Sequence, residues 1–175
     1  MRRLLMLVFA CWLTACIPHA PDDEKKDTGP PLFVDDLKVG KVVVDVDPLV
    51  IPRTYRKTLS LYGVTDRLRD SVIRRLQRRK LYDKNGILWL HIEIMDFSLR
   101  SDLIALLPFP ILETDRLELS VEAWRDGAVV KSFTALGSNG QGGLMNAIGR
   151  AKRLDIVIEA ASFQVLQPVM TAGPE

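Results

Sequence analysis

Alternation of apolar and polar positions divides the chain into elements. Val42, Val44 and Val46 alternate with Val43 and Asp45, a β-branched run that predicts a strand closed by Pro48 and Pro52. Residues 53–63 fit either a short strand or a loop. Thr65 stands as an N-cap with Asp66 in the first turn, and Leu68, Val72, Ile73 and Leu76 recur at helical spacing. The spacing predicts a helix over about 66–80, stopped by the turn sequence Asp83-Lys84-Asn85-Gly86.

Ile87 to Leu99 reads as a long strand with Leu88, Leu90, Ile92 and Ile94 on a core face. Period two places Trp89, His91, Glu93, Met95 and Phe97 on the other. Leu117, Leu119, Val121 and Ala123 alternate with Arg116, Glu118, Ser120 and Glu122, and Asp126-Gly127 then joins this run to residues 128–136. A two-residue Asp-Gly loop predicts a hairpin in which Arg125 faces Ala128. Continued without interruption, that register sets Trp124 opposite Val129, Glu122 opposite Lys131 and Val121 opposite Ser132. After the glycine-rich stretch 137–143, Leu144, Ala147, Ile148, Ala151, Leu154, Ile158, Ala161 and Val165 form one helical stripe, closed by Pro168. The order predicts an α+β fold: a mainly antiparallel sheet of about four strands with two helices packed on one face.

The start of the chain is patterned differently. Arg2 and Arg3 precede an apolar run, Leu4 to Leu13, too short to span a bilayer, and Leu13-Thr14-Ala15-Cys16 follows. This layout reads as a signal peptide over residues 1–15. Its end resembles the bacterial lipoprotein box, which implies cleavage before Cys16 and lipid on that cysteine. Cys11 is a rival cleavage point, disfavoured by bulky Phe9, and an ordinary signal cut elsewhere is the less favoured alternative. Residues 16–37 form a polar, proline-bearing, disordered tether that cannot bury enough apolar area to order itself. Its reach is about 25 Å as a coil and about 60 Å extended. The domain occupies 38–168, and 169–175 is a disordered tail.

The signal changes the composition. Full length, 24 Lys and Arg stand against 22 Asp and Glu; removing Arg2 and Arg3 leaves 22 of each. A neutral mature chain argues against a nucleic-acid role. Of two cysteines one leaves with the signal, and lipid on Cys16 would leave none for a disulfide.

Four features carry candidate chemistry. The first is Leu103–Leu112, an almost wholly apolar connection broken by Pro108 and Pro110, where a short polar turn is usual. Leu103, Ile104, Leu106, Leu107, Phe109 and Ile111 form either an exposed partner-binding patch or a flap folded over the core; Leu103–Leu107 also reads as a short edge strand. The second is the basic helix, whose Arg67, Arg74, Arg75, Arg78 and Arg79 either bind an anionic group or meet the chain's own carboxylates. The third is the glycine-rich stretch before the last helix, which lacks the lysine and hydroxyl of a phosphate loop and reads as a connector. The fourth is His91 with Glu93 on one strand face, too few ligands for zinc. No metal, cofactor or catalytic residue is assigned, and the chain reads as non-catalytic.

Taken together, LTAC, KVVVDVDP, the arginine-rich helix, ILWLHIEIMDF, SVEAWRDGAVVKSF and the glycine stretch into a final helix resemble small bacterial lipoproteins that assist envelope machinery. Such proteins include auxiliary lipoproteins of ABC-type lipid transporters and small lipoproteins of envelope assembly. The likeness covers about residues 40–165; LIALLPFPIL departs from it. It implies a membrane-anchored adaptor with an envelope protein partner. Ile17 after the cysteine, where Asp would retain a lipoprotein in the inner membrane, implies the outer membrane facing the periplasm. The competing expectation is a lipid- or glycan-binding module that uses the Trp89, His91 and Phe97 face and the arginines, which needs a pocket of about 300 Å³ or more.

Overall fold

A computed structural model describes residues 38–100, 114–139 and 149–170, the side chains of 169 and 170 aside. The signal, the tether, the apolar segment 103–112, residues 140–148 and the end of the tail lie outside the described residues.

Strand β1 (Val39–Val46) leads through helices α1 (Arg53–Leu61) and α2 (Val64–Arg78) to β2 (Leu88–Ser98). The hairpin β3 (Asp115–Arg125) and β4 (Ala128–Asn139) follows, then helix α3 (Arg150–Met170). The sheet order is β1-β2-β3-β4. β1 lies parallel to β2, and the other two pairings are antiparallel. The sheet is therefore mixed, because α1 and α2 make a crossover that returns the chain in the same direction. Among the described residues the fold is α+β, with three helices where two were expected.

The third helix arises in the undecided stretch 53–63. Pro52 takes the N-cap position, and Tyr55 and Leu59, one turn apart, lie on one side of the helix. Tyr55 meets the ring of Phe97 edge-on at 6.4 Å, and Leu59 is buried. Apart from these two and the exposed Leu61, α1 is polar, so few packed side chains support it. Between α1 and α2 the N-cap is Gly63 in the left-handed region (φ 58°), not Thr65, which lies inside the helix.

Leu68, Val72 and Leu76 of α2 meet the core face of the sheet together with Leu154, Val157, Ile158, Ala161 and Val165 of α3. α2 lies against β1 and α3 against β4 and β3, and the two helices touch. Ala151, placed on the α3 stripe by its spacing, is exposed. Pro168 sits inside the last turn of α3.

Two bulges correct the expected faces. The β2–β3 register shifts at Met95, so Phe97 swings to the core face and is 1% exposed. The β3–β4 register keeps Arg125 opposite Ala128 and Trp124 opposite Val129, then shifts, pairing Ala123 with Lys131 and Val121 with Phe133. The uninterrupted register would have set Ser132 and Thr134 against the buried Val121 and Leu119. The shift sets Phe133 and Ala135 there instead. β4 also continues into the glycine-rich stretch, to Asn139. Gly137 lies directly under α3, where a Cβ would come 2.3 Å from the Val157 carbonyl oxygen. The turn itself has positive φ at Asp126 (53°) and Gly127 (81°), as a two-residue hairpin loop requires.

Candidate functional site

The structure divides the arginine helix in two. Arg67 pairs with Asp155 of α3. Arg74 reaches Glu159 at 3.5 Å and Arg75 reaches it at 2.6 Å, while Arg75 Nε donates to the Ser162 hydroxyl at 2.9 Å. Ser71 donates to Glu159 at 2.8 Å. Burial pushes the Glu159 carboxyl up, but the hydrogen bonds from Ser71 and Arg75 and the charges of Arg75 and Arg74 outweigh it and hold the group below the usual carboxylate range. Three of the five candidate anion-binding arginines thus tie α2 to α3. Arg78 and Arg79 stay exposed at the C-terminal end of α2, with no ion pair among the described residues.

The sheet face away from the helices is open. On it Trp89 and Trp124, opposite one another on β2 and β3, stack with ring centres 5.1 Å apart. Lys41 lies 5.8 Å from the centre of the Trp89 ring, and Trp124 Nε1 donates to Glu122 at 3.0 Å. His91 sits between two carboxylates, with Nε2 3.2 Å from Asp45 and Nδ1 3.7 Å from Glu122. Glu93 faces the same way but is not its partner. Phe97, expected on this face, is absent from it. Among the described residues no group of three His, Cys, Asp or Glu is arranged to hold a metal ion.

Sequence reasoning missed a buried ionic cluster at one end of the sheet. Arg100, Asp115, Asn139 and Arg153 are all buried there. The Arg100 backbone N–H donates to Asp115 at 2.8 Å, and its guanidinium donates to Asp115 at 3.1 Å and to the Asn139 carbonyl at 3.0 Å. Arg153 donates to the Arg100 carbonyl at 2.7 Å and its Nε lies 3.3 Å from Asp115. These four residues border, or lie within a few residues of, the two segments 101–113 and 140–148, so the cluster gathers the roots of both segments at one end. A signal was available. Extending the alternation of β3 back one step puts Asp115 on the face of Leu117 and Leu119. Cys16 and the candidate residues Leu103, Ile104, Leu106, Leu107, Phe109 and Ile111 lie outside the described residues.

No protein-family model matches the chain, and no curated relative matches it. Among solved structures it is similar to PelC from Paraburkholderia phytofirmans, a dodecamer, with 14% identity over 81% of this chain and 94% of that one and a TM-score of 0.52. It is also similar to a Xanthomonas campestris protein of the DUF330 family, with 14% identity over 79% of this chain and 86% of that one and a TM-score of 0.52. A minor lipoprotein from Acinetobacter baumannii aligns at 16% identity over 79% and 99% of the two chains, with a TM-score of 0.43. At such identities the first two likenesses define the fold: this chain has the α+β architecture of PelC and of the DUF330 protein.

Proposed function

We propose that this chain is a non-catalytic envelope lipoprotein, held by lipid on Cys16 in the outer membrane facing the periplasm, and that it docks a larger envelope assembly through the end of the sheet from which residues 101–113 emerge. The observation that carries the reading is the Leu13-Thr14-Ala15-Cys16 sequence behind a short apolar run, followed by a polar tether and a domain whose first strand starts at Val39. Two further observations support it. The fold is shared with PelC, itself a multi-subunit protein. The buried cluster around Asp115 gathers the roots of the apolar segment and of the 140–148 connection at one place. Ile17 beside the cysteine favours the outer membrane. A second reading, a lipid- or glycan-binding module, is favoured by the open sheet face with its stacked Trp89 and Trp124.

The test is fatty-acid labelling, membrane fractionation and in-envelope crosslinking of wild type, Cys16→Ser and Leu106→Asp. The expected outcome is loss of label and of membrane association in Cys16→Ser. In Leu106→Asp the label is kept, and the crosslinked partner is lost. Label on Cys16→Ser overturns the anchor, and equal crosslinking by Leu106→Asp removes the apolar segment from the docking surface.

A further inference from the structure

The tether enters the domain at Lys38, and the structure shows what surrounds that point. The Val39 N–H donates to the Leu81 carbonyl at 2.9 Å, the Asp83 N–H donates to the Val39 carbonyl at 3.0 Å, and the Leu88 N–H donates to the Lys38 carbonyl at 3.3 Å. A Cβ on Gly86 would lie 2.3 Å from the Lys38 carbonyl oxygen, and one on Gly40 would lie 2.1 Å from the Gly86 carbonyl oxygen. The tether root, the end of α2 and the loop into β2 are therefore stitched into one rigid rim. That rim carries Lys38, Arg78, Arg79, Lys80 and Lys84, all exposed and none with an ion pair among the described residues, where Asp83 is the rim's one acid; Asp35 and Asp36 precede Lys38 in sequence.

The open face adds the second component at the same end. β1 and β2 run parallel and the β3–β4 turn pairs back to Leu88, so Trp89 and Trp124 lie within a residue of the strand ends nearest the rim. Ile87 is 56% exposed, and Val129 and Val130 at the start of β4 are 43% and 45% exposed. Cations beside partly buried tryptophans and exposed aliphatic residues match the chemistry of an anionic bilayer surface, where indole rings settle at headgroup level.

We infer that this end of the sheet rests on a membrane surface of anionic phospholipid, so that the lipid anchor and the rim together orient the domain with the buried Asp115 cluster at the end away from the bilayer. The inference rests on the proposed anchor at Cys16. The chain outside the structure supplies the argument for this occupant: the roughly 20 residues between Cys16 and Lys38 end at the basic rim, so the anchor keeps that rim within about 25 Å of the bilayer as a coil and about 60 Å at full extension. A protein occupant would need a complementary acidic surface, for which nothing in this chain argues.

The mature chain offers a direct readout. Of its three tryptophans Trp12 leaves with the signal, and only Trp89 and Trp124 remain. Mature lipidated protein, from Cys16 onward, is reconstituted with brominated lipid in phosphatidylcholine vesicles, with and without phosphatidylglycerol, and tryptophan quenching is read alongside flotation. The expected result is flotation with both vesicles, and quenching that is strong only with phosphatidylglycerol and is removed by high salt. Each cation at an anionic surface is worth about fivefold, so Arg78→Glu with Arg79→Glu lowers the docked-to-free ratio by at least about 25-fold while flotation persists. Flotation with the same quenching in both vesicle types overturns the orientation and leaves the anchor standing. Failure to float with either overturns the anchor and the orientation with it.

Discussion

Asp115 has no exposed side-chain surface, and two guanidinium groups converge on its carboxylate. A carboxylate taken out of water is tolerated only with such partners, and removing it leaves two cations facing each other in the interior. Asp115→Asn is therefore expected to lower unfolding free energy by about 3–5 kcal/mol in urea titration. A loss near zero would mean that water reaches the cluster. The alternation read from the sequence begins at Arg116 and leaves Asp115 outside it. A charged side chain on a core face carries no signal of its own until its partners are known. Here the partners are Arg100 and Arg153, which lie on opposite sides of Asp115 in sequence.

At the scale of elements, the basic helix is the instructive case. Its apolar spacing marked the core side correctly: Leu68, Val72 and Leu76 are buried. Its charges did not declare their use, because a guanidinium on a helix face looks the same whether it meets solvent, lipid or Glu159. Folding placed Glu159 of α3 across from Arg74 and Arg75. The Glu159 carboxyl is held below its ordinary value of 4.5, so its stabilisation is complete above that pH and is lost as pH falls through the lower folded value. Glu159→Gln should flatten that acid limb of a stability-against-pH curve measured by thermal melting. The carboxylate is about half exposed, and solvent keeps the effect within about 1 kcal/mol. An unchanged acid limb would show that the pair contributes nothing. The bulges at Met95 and Val130 belong to this scale too. Period two predicts a face only while the ladder is unbroken, and each inserted residue reverses the parity of everything beyond it.

At the scale of the molecule, the sheet has two unlike ends. One carries the tether root, the basic rim and the tryptophan pair; the other carries the buried cluster at the roots of 101–113 and 140–148. Eleven residues of β2 separate them by about 35 Å. Sites that far apart with no shared partners act independently. Arg78→Glu with Arg79→Glu is thus expected to leave the crosslinked partner's yield unchanged, and Leu106→Asp to leave vesicle quenching unchanged. Cross-effects in the two assays would show that the ends do not work separately.

By itself the sequence determined the α+β class, the positions of β1, β2, the hairpin turn and the two long helices, and most of the buried residues. Those follow from local periodicity and from an Asp-Gly turn whose backbone preference is intrinsic. Only the tertiary structure decided that β1 runs parallel to β2, that 53–61 is a helix, that Phe97 is core, and which arginines remain free to meet a surface. Each of these depends on contacts between residues distant in the chain: Tyr55 with Phe97, Arg75 with Glu159, Lys38 with Leu88. Such contacts leave no periodic trace in either partner alone.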